Sequence, residues 1–164
     1  MGILDGIALY TAKATPAPAP SAPLLCLFFS AQWCPHCVSF LPKLIEAYNG
    51  FPKERADVVF VSSDRSQAHQ LKYMAEAQHP DWPAVEFDGD SRADLKRRFG
   101  ACAMSEMSAL GITSAARKYG IPTLAVLRAA DGALLTMDGV RDVREAGAGA
   151  LDRWQAASEA REEP

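Results

Sequence analysis

The chain has 164 residues, of which 49% are hydrophobic and 23% charged, the composition of a globular domain long enough to bury a core. Its formal net charge of −3 excludes a protein that holds nucleic acid on a basic surface. No apolar run approaches the roughly 18–20 residues of a membrane-spanning helix; the longest runs only from Leu24 to Ala31. Met1–Tyr10 carries Asp5 and no Lys or Arg, unlike a secretory signal. Position 6 is Gly where a myristoylation motif has Ser or Thr. A cytoplasmic, monomeric protein is expected, with neither nucleic acid nor membrane as partner.

Along the chain, Ile7–Thr11 reads as a short first strand. Pro16, Pro18, Pro20 and Pro23 punctuate residues 14–23; with φ fixed and no amide hydrogen, they make an extended, exposed connector. Leu24–Ser30 is continuously apolar, as a strand covered on both faces must be. After Trp33-Cys34-Pro35-His36-Cys37, the residues Val38, Phe40, Leu41, Leu44, Ile45 and Tyr48 recur at helical spacing, with Pro42 expected to kink the helix and Asn49-Gly50 to end it. Asp57–Ser63 reads as a second buried strand, Ser66–Gln78 as a helix stopped by Pro80, and Trp82–Phe87 as extended chain. Ser91 is the expected cap of a helix over Asp94–Phe99 that Gly100 terminates. Residues 101–118 are small-residue-rich and predicted helical only towards their end. Thr123–Leu127 and Leu134–Met137 read as strands joined by an Asp131-Gly132 turn. Asp142 is the expected cap of a last helix reaching Ser158, with residues 159–164 a flexible tail. Strands alternating with helices imply an α/β sheet with parallel pairs and a terminal hairpin.

Chemistry concentrates at Cys34 and Cys37. Of four cysteines they alone form a close pair, and a Cys-x-x-Cys between a strand and a helix suits redox work. Cys34 at the helix start meets free amide hydrogens and the positive dipole end, which favour a thiolate. Cys37 lies one turn on, within disulfide reach. Cys34 is therefore the expected nucleophile and Cys37 the thiol that resolves the mixed disulfide. The same motif is half of many zinc sites, but Cys26, Cys102, His69 and His79 supply no compact second pair, so no metal is expected. His36 is either a cation that stabilises the thiolate, making the disulfide more oxidising, or an exposed histidine of little influence. Trp33 is either a docking lip or a packing residue. Cys26 reads as core, and Cys102 as a passenger or a regulatory thiol. Arg141, Arg144 and the Lys96-Arg97-Arg98 run read as solvated surface.

The run Phe28-Phe29-Ser30-Ala31-Gln32-Trp33-Cys34-Pro35-His36-Cys37, followed by Phe40, Pro42 and Leu44, resembles the tryparedoxin and nucleoredoxin branch of the thioredoxin superfamily. So do Val59–Asp64, Trp82-Pro83-Ala84-Val85 with Phe87, and Gly120-Ile121-Pro122-Thr123-Leu124, in the family's order. The resemblance covers roughly residues 7–154. It implies one thioredoxin-fold domain over 1–164, a central mixed sheet with helices on both faces, elaborated by the proline-rich connector and an insertion near 101–118. It further implies a cis Pro122 facing the disulfide, with Trp33, Pro35, Ile121 and Pro122 carried over as substrate-binding positions; His36 joins them from its place between the cysteines, and Asp64 as the family's acidic residue after the central strand. The implied partners are a low-molecular-weight dithiol donor such as trypanothione and disulfide proteins such as peroxidases, with no cofactor beyond the Cys34–Cys37 disulfide. The chain departs from the family in having Pro35-His36 for Pro-Pro and Ser63 where Trp is usual. Phe28 stands where thioredoxins bury an Asp. The leading expectation is a dithiol reductase of protein disulfides. An oxidase or isomerase, motivated by His36, and a non-catalytic redox-sensing or binding module, motivated by the insertion and Cys102, are the alternatives.

Overall fold

Leu24–Ser30 forms strand β2, buried along its whole length, because each face of its pleat meets a different core. Leu24, Cys26 and Phe28 point into one cluster and Leu25, Leu27 and Phe29 into the other, the alternation a period of two requires. The structure, a computed structural model, describes residues 2–76 and 81–161. Before β2 comes β1 (Leu9–Tyr10), and after it α1 (Pro35–Gly50), β3 (Ala56–Ser62), α2 (Gln67–Glu76), β4 (Ala84–Val85) and α3 (Ser91–Phe99). A 3-10 turn at Met104–Glu106 leads into the short α4 (Met107–Leu110). Then follow β5 (Thr123–Arg128), β6 (Leu134–Thr136), α5 (Gly139–Ala146) and α6 (Ala150–Ala160).

The strands form one sheet in the order β1-β4-β3-β2-β5-β6. β3 runs parallel to β2 and β4, whereas β5 is antiparallel to β2, β6 to β5 and β1 to β4, so the expected mixed sheet is present. One face is covered by Phe40, Leu41, Leu44 and Ala47 of α1 and by Tyr73, Val143 and Trp154 from α2, α5 and α6. The other carries Leu95 and Phe99 of α3 and the apolar residues of the first turn of chain, Ile3, Leu4 and Ile7. The buried stripe of α1 is what aims Cys37 inward: Cys37, Phe40, Leu41, Leu44 and Ala47 share one face at helical spacing.

Several expectations are corrected. The first strand is trimmed to Leu9–Tyr10, and Tyr10 bridges Pro16 of the connector. Helix α1, by contrast, ends at Gly50 as expected, with Pro42 inside it. Asp90, not Ser91, occupies the cap position of α3, with no side-chain cap bond. The helical turn of the insertion lies in its middle rather than at its end. The final helix is two, separated by Gly147–Gly149, with Gly147 at φ +55°. Asp142 sits inside α5 and accepts the Trp154 indole N–H at 2.9 Å, so its carboxylate serves tertiary packing instead of a helix end. Of the segment read as a flexible tail, Glu159 and Ala160 complete α6, and residues 162–164 lie outside the described residues. The predicted end of α2 at Gln78 and its stop at Pro80 lie outside the described residues.

Candidate active site

The chain turns from β2 into α1 through Ala31-Gln32-Trp33, and the Asp64 carboxylate ties that turn to the end of β3. Asp64 Oδ1 accepts the Gln32 backbone N–H at 2.9 Å, and Asp64 Oδ2 accepts the Ser62 hydroxyl at 2.8 Å. Burial holds the Asp64 carboxyl above the usual carboxylate range, against the pull of the Gln32 and Ser62 hydrogen bonds. The Trp33 indole donates to the Ser63 carbonyl at 2.9 Å, and the Arg65 guanidinium lies 5.6 Å from the ring's centre. Trp33 nevertheless stays 40% exposed, a flat apolar face at the rim.

Cys34 takes the N-cap position of α1 in extended backbone, and Pro35 follows at the helix start, where its missing amide hydrogen costs nothing. Cys34 is only 6% exposed, and its thiol donates to the Ile121 carbonyl at 3.9 Å. The Ile121-Pro122 bond is cis, as the resemblance implied, and the Thr123 hydroxyl ties off this loop by donating to the Gly120 carbonyl at 2.6 Å. Pro35 and His36 are exposed beside Cys34, and Ile121 and Pro122 are half-buried opposite. Cys37 is wholly buried. Burial pushes its thiol up to about 12, helped by its hydrogen bond to Cys34, while the Ala31 backbone and the Ser30 hydroxyl pull the other way. All four cysteines are thiols here. Trp33, Cys34, Pro35, His36, Cys37, Ile121 and Pro122 thus meet at one end of the sheet, while Asp64 stands behind them as a buried anchor.

The other two cysteines are remote in role: Cys26 is buried within β2, and Cys102 is buried with its carbonyl accepting from Arg117. Among the described residues, no cluster of three or more His, Cys, Asp or Glu is arranged to hold a metal ion, and no helix is long and apolar enough to cross a membrane. A cavity of about 420 Å³ lies beneath the proline-rich connector, lined by residues such as Tyr48, Asp57, Met74 and Trp82. It sits against the start of β3 and touches neither Cys34 nor Cys37, so it has no part in their chemistry.

Sequence reasoning missed the polar residues behind Trp33. Lys96, read as part of a solvated run, is 2% exposed and paired with Glu106, while Arg97 and Arg98 are exposed as expected. Glu106 also accepts the Ser63 hydroxyl at 2.6 Å and the Ala103 N–H at 2.8 Å. The legible signal was helical position: Lys96 adjoins buried Leu95 on the inner side of α3.

Comparison with known proteins agrees with this geometry. A family model described as thioredoxin-like matches residues 23–134. Probable nucleoredoxin 1 of Arabidopsis thaliana is 32% identical over 119 residues, 71% of this chain and 20% of that protein; the chain spans about a fifth of that relative's length. The tryparedoxin of Trypanosoma brucei superposes with a TM-score of 0.71 at 26% identity, over 94% of this chain and 99% of the other. A tryparedoxin II solved in complex with glutathionylspermidine superposes with a TM-score of 0.67 at 23% identity, over 88% and 89% of the two chains, a likeness of fold. The family match takes in both Cys34-Pro35-His36-Cys37 and the Ile121-Pro122 loop that faces it, and the chain belongs to the thioredoxin-like family.

Proposed function

We propose that the chain is a thiol–disulfide oxidoreductase that reduces protein disulfides, with Cys34 as nucleophile and Cys37 as resolving thiol. The observation that carries this reading is the inequality of the two sulfurs. Cys34 lies at the rim beside exposed Trp33, Pro35 and His36, whereas Cys37 is sealed beneath it with its thiol pushed up to about 12. The Cys34 thiolate attacks one sulfur of the substrate disulfide, forming a mixed disulfide and expelling the other sulfur as a thiolate that takes a proton. Two of the influences that keep the proton on Cys37 come from Cys34, its hydrogen bond and its charge. Both are lost once Cys34 is covalently occupied. Cys37 then ionises more readily and attacks Cys34 Sγ, which releases the second substrate thiol and leaves a Cys34–Cys37 disulfide. A dithiol donor returns the pair to the reduced state.

Trp33, Pro35 and His36 on one side and Ile121 with Pro122 on the other form the surface on which a disulfide is presented. Asp64 acts from behind by holding Gln32. The donor is a small dithiol of the trypanothione type, as the family resemblance implies; the neighbour that carries glutathionylspermidine, a glutathione-derived monothiol, supports a low-molecular-weight thiol as donor, and the acceptors are disulfide proteins such as peroxidases. The test is turnover of a protein disulfide with a dithiol reductant. Cys34→Ser abolishes it, and Cys37→Ser stalls as a mixed disulfide visible by mass. Full multiple turnover by Cys37→Ser overturns the resolving role. His36 stands exposed beside Cys34, the setting in which a histidine has little influence on the thiolate; a potential near −120 to −180 mV would instead favour the oxidase or isomerase reading, and a value of roughly −200 to −270 mV supports the reductase.

A further inference from the structure

The insertion is joined to the rim of the site by a chain of polar contacts. Lys96 of α3 is 2% exposed and pairs with Glu106 at the end of the 3-10 turn. A buried lysine without a partner is strongly disfavoured, so this pair pins the turn against α3. The other carboxylate oxygen of Glu106 accepts the Ala103 N–H at 2.8 Å and the Ser63 hydroxyl at 2.6 Å. Ser63 in turn offers its carbonyl to the Trp33 indole at 2.9 Å. The base of the insertion is closed by the Ala101–Tyr119 bridge and by the Cys102 N–H, which donates to the Tyr119 carbonyl at 3.2 Å. Between Trp33 and the insertion lies a cleft of about 380 Å³, whose walls include Arg65, Arg92, Ser105, Glu106 and Leu110.

We propose that Glu106 is a positioning residue for Trp33: held by Lys96, it fixes Ser63 and through it the indole, and so sets the docking face that a protein disulfide meets. The proposal rests on the oxidoreductase reading for what Trp33 docks, but not for how Trp33 is held. Glu106 touches neither cysteine, so its influence falls on substrate binding rather than on the sulfur chemistry. Ser63 is the sensitive point, since its hydroxyl faces the insertion while its carbonyl faces the rim.

The experiment compares wild type, Ser63→Ala and the double variant Lys96→Met/Glu106→Ala, with Ser63→Thr as the conservative control. Ser63→Ala leaves the Lys96–Glu106 pair in place, and the double variant removes both charges together, so Lys96 is not left buried without its partner, while Arg92 keeps Asp64 and Asp88 as neighbouring charges. Three measurements are made: acrylamide quenching of tryptophan fluorescence, KM and kcat for reduction of insulin by dithiothreitol, and the rate of Cys34 alkylation by iodoacetamide. Trp82 and Trp154 are 4% and 1% exposed, so quenching reports chiefly on Trp33. Expected are stronger quenching and a KM raised roughly three- to tenfold, the loss of one buried hydrogen bond, with kcat and alkylation unchanged and Ser63→Thr like wild type. Wild-type quenching in both variants overturns the proposal. So does a quenching change with KM unmoved, or an alkylation rate that falls with it. If wild type turns over no insulin, the function reading falls, and quenching alone decides whether Glu106 holds Trp33.

Discussion

Asp64 turns both carboxylate oxygens inward, one to the Gln32 N–H and one to the Ser62 hydroxyl, and at 6% exposure it carries a desolvation penalty when ionised. Its folded carboxyl is held above the ordinary 3.8, so as pH rises from there the unfolded chain releases its proton first and stability falls until the folded group has ionised too. Asp64→Asn keeps an acceptor for Gln32 without the charge. At pH 7 it is expected to match or exceed wild type in urea denaturation, with the advantage vanishing below about pH 4. Asp64→Ala strips the acceptor from both donors and is expected to cost about 1–3 kcal/mol. The sequence marked Asp64 as acidic and near the site, but its direction was not legible. Its partners are a backbone amide 32 residues away and a neighbouring hydroxyl, neither of which has a local pattern. Asp142 misled for the same reason: it occupies a plausible cap position by composition, and only the fold brings Trp154, 12 residues on, to its oxygen.

At the scale of elements, legibility followed periodicity. β2 and β3 were readable because two-sided burial writes an uninterrupted apolar run, and α1 because its stripe is regular. Cys34 and Cys37 were readable because strand, motif and helix are contiguous in the chain. The insertion has no such pattern: it is ordered by the Ala101–Tyr119 bridge and by the bond from Ser63 to Glu106, contacts between residues distant in sequence. Its entry depends on Gly100, which closes α3 at φ +62°. A Cβ built there would lie 2.6 Å from the Ala116 carbonyl oxygen, so the position demands both a left-handed backbone and an absent side chain. Gly100→Ala is expected to lower stability by about 2–4 kcal/mol in urea denaturation, and to loosen the insertion before the sheet, visible as faster amide exchange at Cys102 and Tyr119 than at Phe28.

For the molecule as a whole, the sheet divides two cores and seals several ionisable groups between them. Burial pushes the Cys26 thiol far above its ordinary 9.0, with Asp57 adding to the effect. The Cys37 and Cys102 thiols and the Tyr73 phenol are likewise raised. Such a group stays protonated in the fold while the unfolded chain ionises, so its contribution is intact below about pH 9 and is lost as pH climbs towards the folded value. The reduced protein is expected to weaken above pH 9, each such thiol contributing up to about 1.4 kcal/mol per pH unit. Cys26→Ala isolates one contribution: its stability gap to wild type, read from urea midpoints under reducing conditions, narrows between pH 8 and pH 10. An unchanged gap rules out Cys26 as a source of the alkaline weakening.

The two ends of the sheet bear on how copies of this chain behave at high concentration. β1 offers two residues and β6 three, and on the β1 side the chain folds back so that Tyr10 already bridges Pro16, a residue with no amide hydrogen to donate. A neighbouring molecule seeking to extend the sheet finds almost no free ladder to copy. The long, strongly apolar strands, which in isolation are the segments most prone to stack into fibrils, lie in the middle with both flanks taken. Resistance to amyloid-like assembly therefore rests on keeping the sheet closed around β2, so conditions that peel away β5 and β6 are the ones under which the reduced protein is expected to aggregate.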